Sequence, residues 1–284
     1  MQKAELIVRE LPYTVNEELK YLRTNIQFCG AEKKVILFTS SLAGEGKSTL
    51  ILRLAKSLCE LGKNVLLVDA DLRRSKLQYE VKDPAQVRYG LSHYLSGMVP
   101  LNDALTETDN PRLYVLFAGQ VPPNPSELLS GKRVDTLLSW AREQFDYVLI
   151  DTAPLGAVID AAVLAPKCDG SVIVIEAGRV PYRTVQNVAR QLTDAGKPIL
   201  GAVLNKAASR SGKKYYSRYD YAYTPETSGN TTQWALRASA DLLPQSCSMK
   251  NGKYTKYSRI FHTFAWGKIS RRISLPHYAV LPYF

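Results

Sequence analysis

Cysteine and histidine are scarce in this chain of 284 residues: it holds Cys29, Cys59, Cys168 and Cys247, with no C-x-x-C pair, and three His. That scatter excludes a zinc finger or a disulfide framework and leaves the cysteines as reduced packing residues. No apolar run approaches the ~18 residues that cross a bilayer. The first residues, with Glu5, Arg9 and Glu10, lack the hydrophobic stretch of a signal peptide, so a cytoplasmic protein is expected. Acidic residues run short at one end only. The formal net charge is +11, yet residues 1–212 are nearly balanced, whereas 224–284 carry eight Lys/Arg against two Asp/Glu. The excess therefore describes a basic terminal extension. What remains, 45% hydrophobic and 22% charged residues, is the composition of a globular protein with room for one sizeable domain plus an extension.

Between residues 35 and 205, short apolar runs alternate with helix-like segments. The runs are Val35 to Thr39, Val65 to Val68, Leu113 to Phe117, Tyr147 to Ile150, Ser171 to Ile175 and Ile199 to Leu204. Nearly continuous in apolar residues, they read as doubly covered parallel strands. Leu50, Ile51, Leu54, Ala55, Leu58 and Leu61 fall at helical spacing and Gly62 supplies a C-terminal stop; further helices are expected at 132–143, 158–165 and 182–195. The fold class is α/β, a doubly wound, mostly parallel sheet flanked by helices. Upstream, Val15, Leu19, Leu22 and Ile26 form one apolar stripe of a helix over 15–28. Pro122 to Pro125 reads as a rigid turn feeding a helix that Ser126 caps. Residues 224–284 match neither period and are expected to be poorly ordered.

The strongest chemical signal is Ser41-Leu42-Ala43-Gly44-Glu45-Gly46-Lys47-Ser48-Thr49, set between a strand and a helix, where a Walker A loop must lie. Glycines at 44 and 46 let backbone amides of Ala43 to Thr49 turn toward phosphate oxygens, and the helix N-terminus adds positive dipole. Lys47 bridges β- and γ-phosphates and the Ser48 hydroxyl ligates Mg²⁺. Facing ligand rather than core, Lys47 is expected to be dispensable for folding. Two further strands end in aspartate: Asp69-Ala70-Asp71-Leu72-Arg73 and Asp151-Thr152-Ala153-Pro154. Beyond the carboxyl ends of parallel strands these carboxylates converge on the phosphate loop. Asp69 and Asp151 then hold Mg²⁺ through water, and Asp69 or Asp71 accepts a proton from the nucleophile. Turn or N-cap chemistry is the alternative for Asp69 and Asp71.

With these three motifs in this order, the chain resembles the bacterial tyrosine kinases of the capsular and exopolysaccharide type. They are a branch of the P-loop ATPases that includes the cell-division and plasmid-partition ATPases. The resemblance covers about residues 12–223 and includes Leu66 to Arg73, Gly90-Leu91-Ser92, Gly119 to Leu129 and the tyrosines Tyr215, Tyr216, Tyr219, Tyr221 and Tyr223. Glu17, Lys20 and Arg23 sit where the family carries a Glu-x-x-Arg-x-x-Arg oligomerisation helix, Lys20 being a departure; Ala153 is another, standing where proline is usual. The resemblance implies four segments. These are an oligomerisation helix region over 1–30, a P-loop kinase domain over 31–208, a tyrosine cluster over 209–223 and an atypical basic tail over 224–284. It also implies a cytoplasmic kinase using ATP and Mg²⁺ that phosphorylates its own tyrosine cluster in trans. Such a kinase forms a ring-like homo-oligomer and is recruited to the inner face of the membrane by a membrane-anchored activator protein of polysaccharide export. It regulates capsular and exopolysaccharide synthesis and takes external protein tyrosines as further substrates. Asn205 is implied as an adenine contact; read from the residues alone, it is equally an Asx-turn or helix cap.

Five tyrosines in nine residues, flanked by Lys213, Lys214 and Arg218, also suit a stacking platform for single-stranded nucleic acid. No OB-type or RRM-type pattern surrounds them, so phosphoacceptors are the preferred reading and no nucleic acid is expected. Two rivals to the kinase are a nucleotide-switched positioning ATPase and a degenerate nucleotide-binding scaffold. The positioning group carries a lysine five residues before the invariant one, and here that position is Leu42.

Overall fold

Runs of Val, Ile and Leu buried on both faces build the centre of the molecule. β2 (Val35–Ser40), β3 (Val65–Ala70), β6 (Tyr147–Thr152) and β7 (Gly170–Glu176) are buried at nearly every position, as parallel strands roofed by helices must be. The computed structural model describes residues 1–7, 10–207 and 278–282. The tyrosine cluster, Cys247 and the rest of 224–284 lie outside the described residues.

β8 (Ile199–Ala207) and β9 (Tyr278–Pro282) extend the sheet on one side; β5 (Leu113–Leu116), β4 (Thr106–Thr108) and β1 (Gln2–Ala4) extend it on the other. The order is β1-β4-β5-β3-β6-β2-β7-β8-β9, and only the β4–β5 pair is antiparallel. α2 (Lys47–Glu60), α6 (Lys132–Gln144) and α8 (Tyr182–Asp194) supply the crossovers. The expected strands and long helices are all present. α1 (Tyr13–Phe28) buries the anticipated stripe of Val15, Leu19, Leu22 and Ile26, each contributing about 1.5–3 kcal/mol of burial. Gly62, at φ 77, closes α2, with its own amide and that of Lys63 returning to the Cys59 and Leu58 carbonyls.

Three features depart from or extend the sequence pattern. α5 (Pro125–Ser130) takes Asn124 as its N-cap with Pro125 in the first turn, so Ser126 does not cap it. The fixed φ of proline already suits the first helical position, which releases the Ser126 hydroxyl for another partner. The strands β1 and β4 and the short helices α3 (Leu91–Leu95) and α4 (Leu101–Ala104) are too brief to carry a period. Within 224–284, Tyr278–Pro282 pairs in parallel with β8 at the sheet edge.

Candidate nucleotide site

β2 ends at Ser40, and the loop that follows turns through Gly44 (φ 84) and Gly46 (φ 80) into α2. Both backbones are left-handed, which favours glycine. Gly46 has a second reason, because a Cβ there would run into Asn205 Nδ2. The loop is followed directly by a helix of 14 residues, so its amides and the helix dipole face the same place.

Lys47 does not point outward. Its Nζ is 2.5 Å from Asp151 Oδ1, and the two side chains are 6% and 1% exposed. The premise that Lys47 faces ligand rather than core, on which its dispensability for folding was expected, does not match this buried pairing. The carboxylate that ends β6 is the partner that a cation buried there requires. β3 and β6 pair with Asp69 opposite Asp151, placing two buried carboxyls side by side. Burial, then the charge of Asp151, pushes the Asp69 carboxyl up to about 8. The Ser75 hydroxyl donates to Asp69 Oδ2, and the Asp71 amide donates to Oδ1 at 3.2 Å. Asp71 holds the turn after β3, its Oδ1 accepting the amides of Arg73 (3.3 Å) and Arg74 (3.0 Å), so turn chemistry is part of its role.

Asp151 Oδ2 is buried and has no hydrogen-bond partner. Among the described residues no group of three or more His, Cys, Asp or Glu gathers as a metal cage. One orphaned carboxylate oxygen beside a second carboxyl, with the Ser48 hydroxyl at the loop, fits Mg²⁺, which is usually held by one or two carboxylates and completed by water and phosphate oxygens.

On the other flank, the ends of β7 and β8 grip the loop. Asn205 Nδ2 donates to the Glu45 carbonyl at 2.8 Å, and the Lys206 amide donates to Asn205 Oδ1 at 2.9 Å. The Glu45 side chain is itself buried, its Oε2 accepting the Leu42 amide (2.7 Å) and its Oε1 the Glu176 amide (2.9 Å). Burial pushes the Glu45 carboxyl up while these amides oppose the shift.

Two further devices were not anticipated. Gly156, after the β6 loop, lies so close to the Ser41 carbonyl that a Cβ would overlap it, tying that loop to the phosphate loop. Arg73 forks onto Asp160 at 2.7 and 3.0 Å, and Ser126 Oγ bridges the two. Asp160, at the start of α7 (Asp160–Leu164), is fully buried. Burial opposes its ionisation, but the bonds from Arg73 and Ser126 outweigh that and hold it below the usual carboxylate range. The Pro125-Ser126 dipeptide was a visible signal, but its partner was not.

Glu17, Lys20 and Arg23, the positions that the resemblance singles out, lie on α1. Lys20 pairs with Glu17 at 2.7 Å along the helix. Arg23 turns inward, donating to the Ser57 carbonyl (2.9 Å) and hydroxyl (3.0 Å) of α2.

Comparison with known proteins agrees with this geometry. Residues 33–198 match the AAA domain family. Tyrosine-protein kinase CpsD of Streptococcus agalactiae is 43% identical over 67% of this chain and 82% of its own length. The kinase domain of Escherichia coli tyrosine kinase ETK superposes with a TM-score of 0.64 at 29% identity, covering 80% of this chain and 94% of that domain. The septum site-determining protein MinD of Pyrococcus horikoshii, solved with Mg-ADP, superposes with a TM-score of 0.52 at 27% identity over 61% of this chain and 70% of its own. A phosphate loop closed by β7 and β8, two strand-end aspartates beside its lysine, and these relatives together place the chain in the bacterial tyrosine-kinase family, a nucleotide-binding P-loop enzyme that phosphorylates protein tyrosine.

Proposed function

We propose that this kinase transfers the γ-phosphoryl group of Mg·ATP to Tyr215, Tyr216, Tyr219, Tyr221 and Tyr223 of a neighbouring copy, and so regulates capsular or exopolysaccharide synthesis and export. The observation that carries the reading is the placement of Lys47, Asp69 and Asp151 together at the mouth of the phosphate loop. When nucleotide arrives, Lys47 exchanges the Asp151 carboxylate for the β- and γ-phosphates, and the amides of Ala43 to Thr49 receive the phosphate oxygens. Ser48, with Asp69 and Asp151, would hold Mg²⁺, which would supply positive charge against the charge on the transferring group. Asp69 is wholly buried, whereas Asp71, though buried, keeps 9% exposure. Asp71 is therefore the group that accepts the tyrosine hydroxyl proton. Asn205, beside the loop at the end of β8, serves the adenine edge. Most of the acceleration comes from positioning and charge, since phosphoryl transfer asks little covalent chemistry of the protein.

The cluster begins nine residues beyond Lys206, an extended reach of about 30 Å, which permits either its own site or a neighbour's. The α1 positions Glu17, Lys20 and Arg23, a ring of copies and a membrane-anchored activator that recruits the kinase to the inner membrane face complete the proposal. Five phosphotyrosines add about −7.5 to −10 of charge, enough to push neighbouring copies apart. The test mixes an active chain whose five cluster tyrosines are Phe with an inactive Lys47→Met, Asp151→Asn chain that keeps them, using γ-labelled ATP. Label on the inactive chain is expected, with a lower sedimentation coefficient after reaction. No label there, while each wild-type chain labels itself, would refute transfer in trans.

A further inference from the structure

Lys206 is, among the described residues, the one non-glycine residue with positive φ, at 53°. A lysine there accepts a backbone conformation that L-residues rarely adopt, so something must hold it. Two contacts do. The amide of Lys206 donates to Asn205 Oδ1 at 2.9 Å, and its Nζ donates to the Gly44 carbonyl at 2.7 Å while lying 3.3 Å from Glu176 Oε2. The left-handed turn thus folds the side chain back across the loop from outside. Gly44 and Glu45 are gripped from one side: the Gly44 carbonyl by Lys206, the Glu45 carbonyl by Asn205, and the Glu45 carboxylate by the Glu176 amide. Carbonyls drawn toward β7 and β8 leave the amides of the same peptide planes free to face the opposite side, where an anion is received. Glu176 also takes Arg179 Nη1 at 2.7 Å, so its carboxylate stays in place to orient the Lys206 ammonium.

We propose that Lys206 is a positioning residue for the phosphate loop: its ammonium on the Gly44 carbonyl holds the loop in the anion-receiving shape before nucleotide arrives. The proposal rests on nucleotide binding at this loop and adds to it a residue that no phosphate-loop motif includes. A preformed loop avoids the ordering cost of binding, so the effect falls on affinity and not on turnover. Because Lys206 acts on the loop and on no particular phosphate, ADP and ATP are affected alike.

The experiment measures ADP and non-hydrolysable ATP binding to the full chain by calorimetry, together with labelling kinetics. Lys206→Met, which keeps the stem and removes the ammonium, is expected to weaken both nucleotides about tenfold, equivalent to about 1.4 kcal/mol. Its kcat is expected to stay within about twofold of wild type while KM rises. Lys206→Gly, which relaxes the backbone but lacks the ammonium, is expected to match Lys206→Met, and Lys206→Arg to restore most of the affinity. Glu176→Gln should weaken both nucleotides by a smaller factor. Nucleotide affinity of Lys206→Met equal to wild type would overturn the proposal, as would wild-type affinity in Lys206→Gly. So would a loss confined to ATP, which points to direct contact with the γ-phosphate. If the wild-type chain binds neither nucleotide, the loop's assignment itself fails, a result distinct from any of these.

Discussion

Asp69 and Asp151 face each other across adjacent strands with one lysine between them, and the proton balance of that trio sets a pH dependence of folding. Asp69 has an ordinary value of 3.8 and is pushed up to about 8 by burial and then by Asp151. Between these values the unfolded chain has released the proton and the folded chain has kept it. The folded state binds one proton more, so its stability falls as pH rises through that window, by about 1.36 kcal/mol per unit. From pH 5 to pH 8 this amounts to at most about 4 kcal/mol. Asp69→Asn keeps the shape of the neutral carboxyl and has no proton to lose, so its stability should lack this slope.

Other groups titrate nearby and must be separated. Burial lowers the His93 imidazole below its ordinary 6.5, which makes stability rise with pH below that value, opposite in sign to Asp69. Asp160, Asp169 and Glu176 are held below their ordinary values, and their stabilisation is lost only on the acid side. All of these are shared by the variant, so the difference between the two proteins isolates Asp69. Urea unfolding in chelator without nucleotide, at half-unit steps from pH 5 to pH 8, measures it. The variant should gain on wild type steadily with rising pH, each kcal/mol appearing as about 2–4 °C in a parallel thermal series. Curves that stay parallel from pH 5 to pH 8 would show that Asp69 is ionised in the folded protein and refute the reasoning.

Two further outcomes follow from pairs of charges. Lys47→Met strands the Asp151 carboxylate, 1% exposed, and should cost about 3–5 kcal/mol of ligand-free stability; adding Asp151→Asn should return most of it, as chemical denaturation of the single and double variants reads. Asp160→Asn removes the anion from Arg73, whose side chain is 37% exposed; water then reaches the guanidinium, and the loss should be about 1–2 kcal/mol, measured the same way.

Elements long enough to repeat were legible in the sequence, and contacts across the chain were not. α1 is readable because Val15, Leu19, Leu22 and Ile26 recur at helical spacing, and all four are buried. The strands β2, β3 and β6 are readable because nothing but burial on both faces favours such unbroken apolar runs. β1 and β4, at three residues each, hold too few positions to show alternation. The phosphate loop and its aspartates were legible by residue type and order. Their pairing was not, because it depends on which charges the fold brings together across adjacent strands. Ser126 shows the same limit. As a local signal, Ser after Pro reads as a cap, whereas its hydroxyl serves Arg73 and Asp160, 53 and 34 residues away in sequence.

The Lys47–Asp151 pair also constrains how nucleotide and metal enter. A phosphate that draws Lys47 away leaves a carboxylate with a buried, unpartnered Oδ2 and now an unpaired charge. In a site this buried that charge is costly unless a cation replaces the ammonium or a proton is taken up. Asp69 already holds the available proton, and two neutral carboxyls would forfeit any metal. On the proposed reading, nucleotide arriving with its divalent cation would replace one positive charge at Asp151 by another, and Asp69 would then be free to release its proton to the solvent. Nucleotide without a divalent cation has no such exchange, so the two ligands should bind as a unit. The affinity for the pair reflects the difference between two well-paired states, and the buried ion pair makes the ligand-free site a competitor for its own lysine.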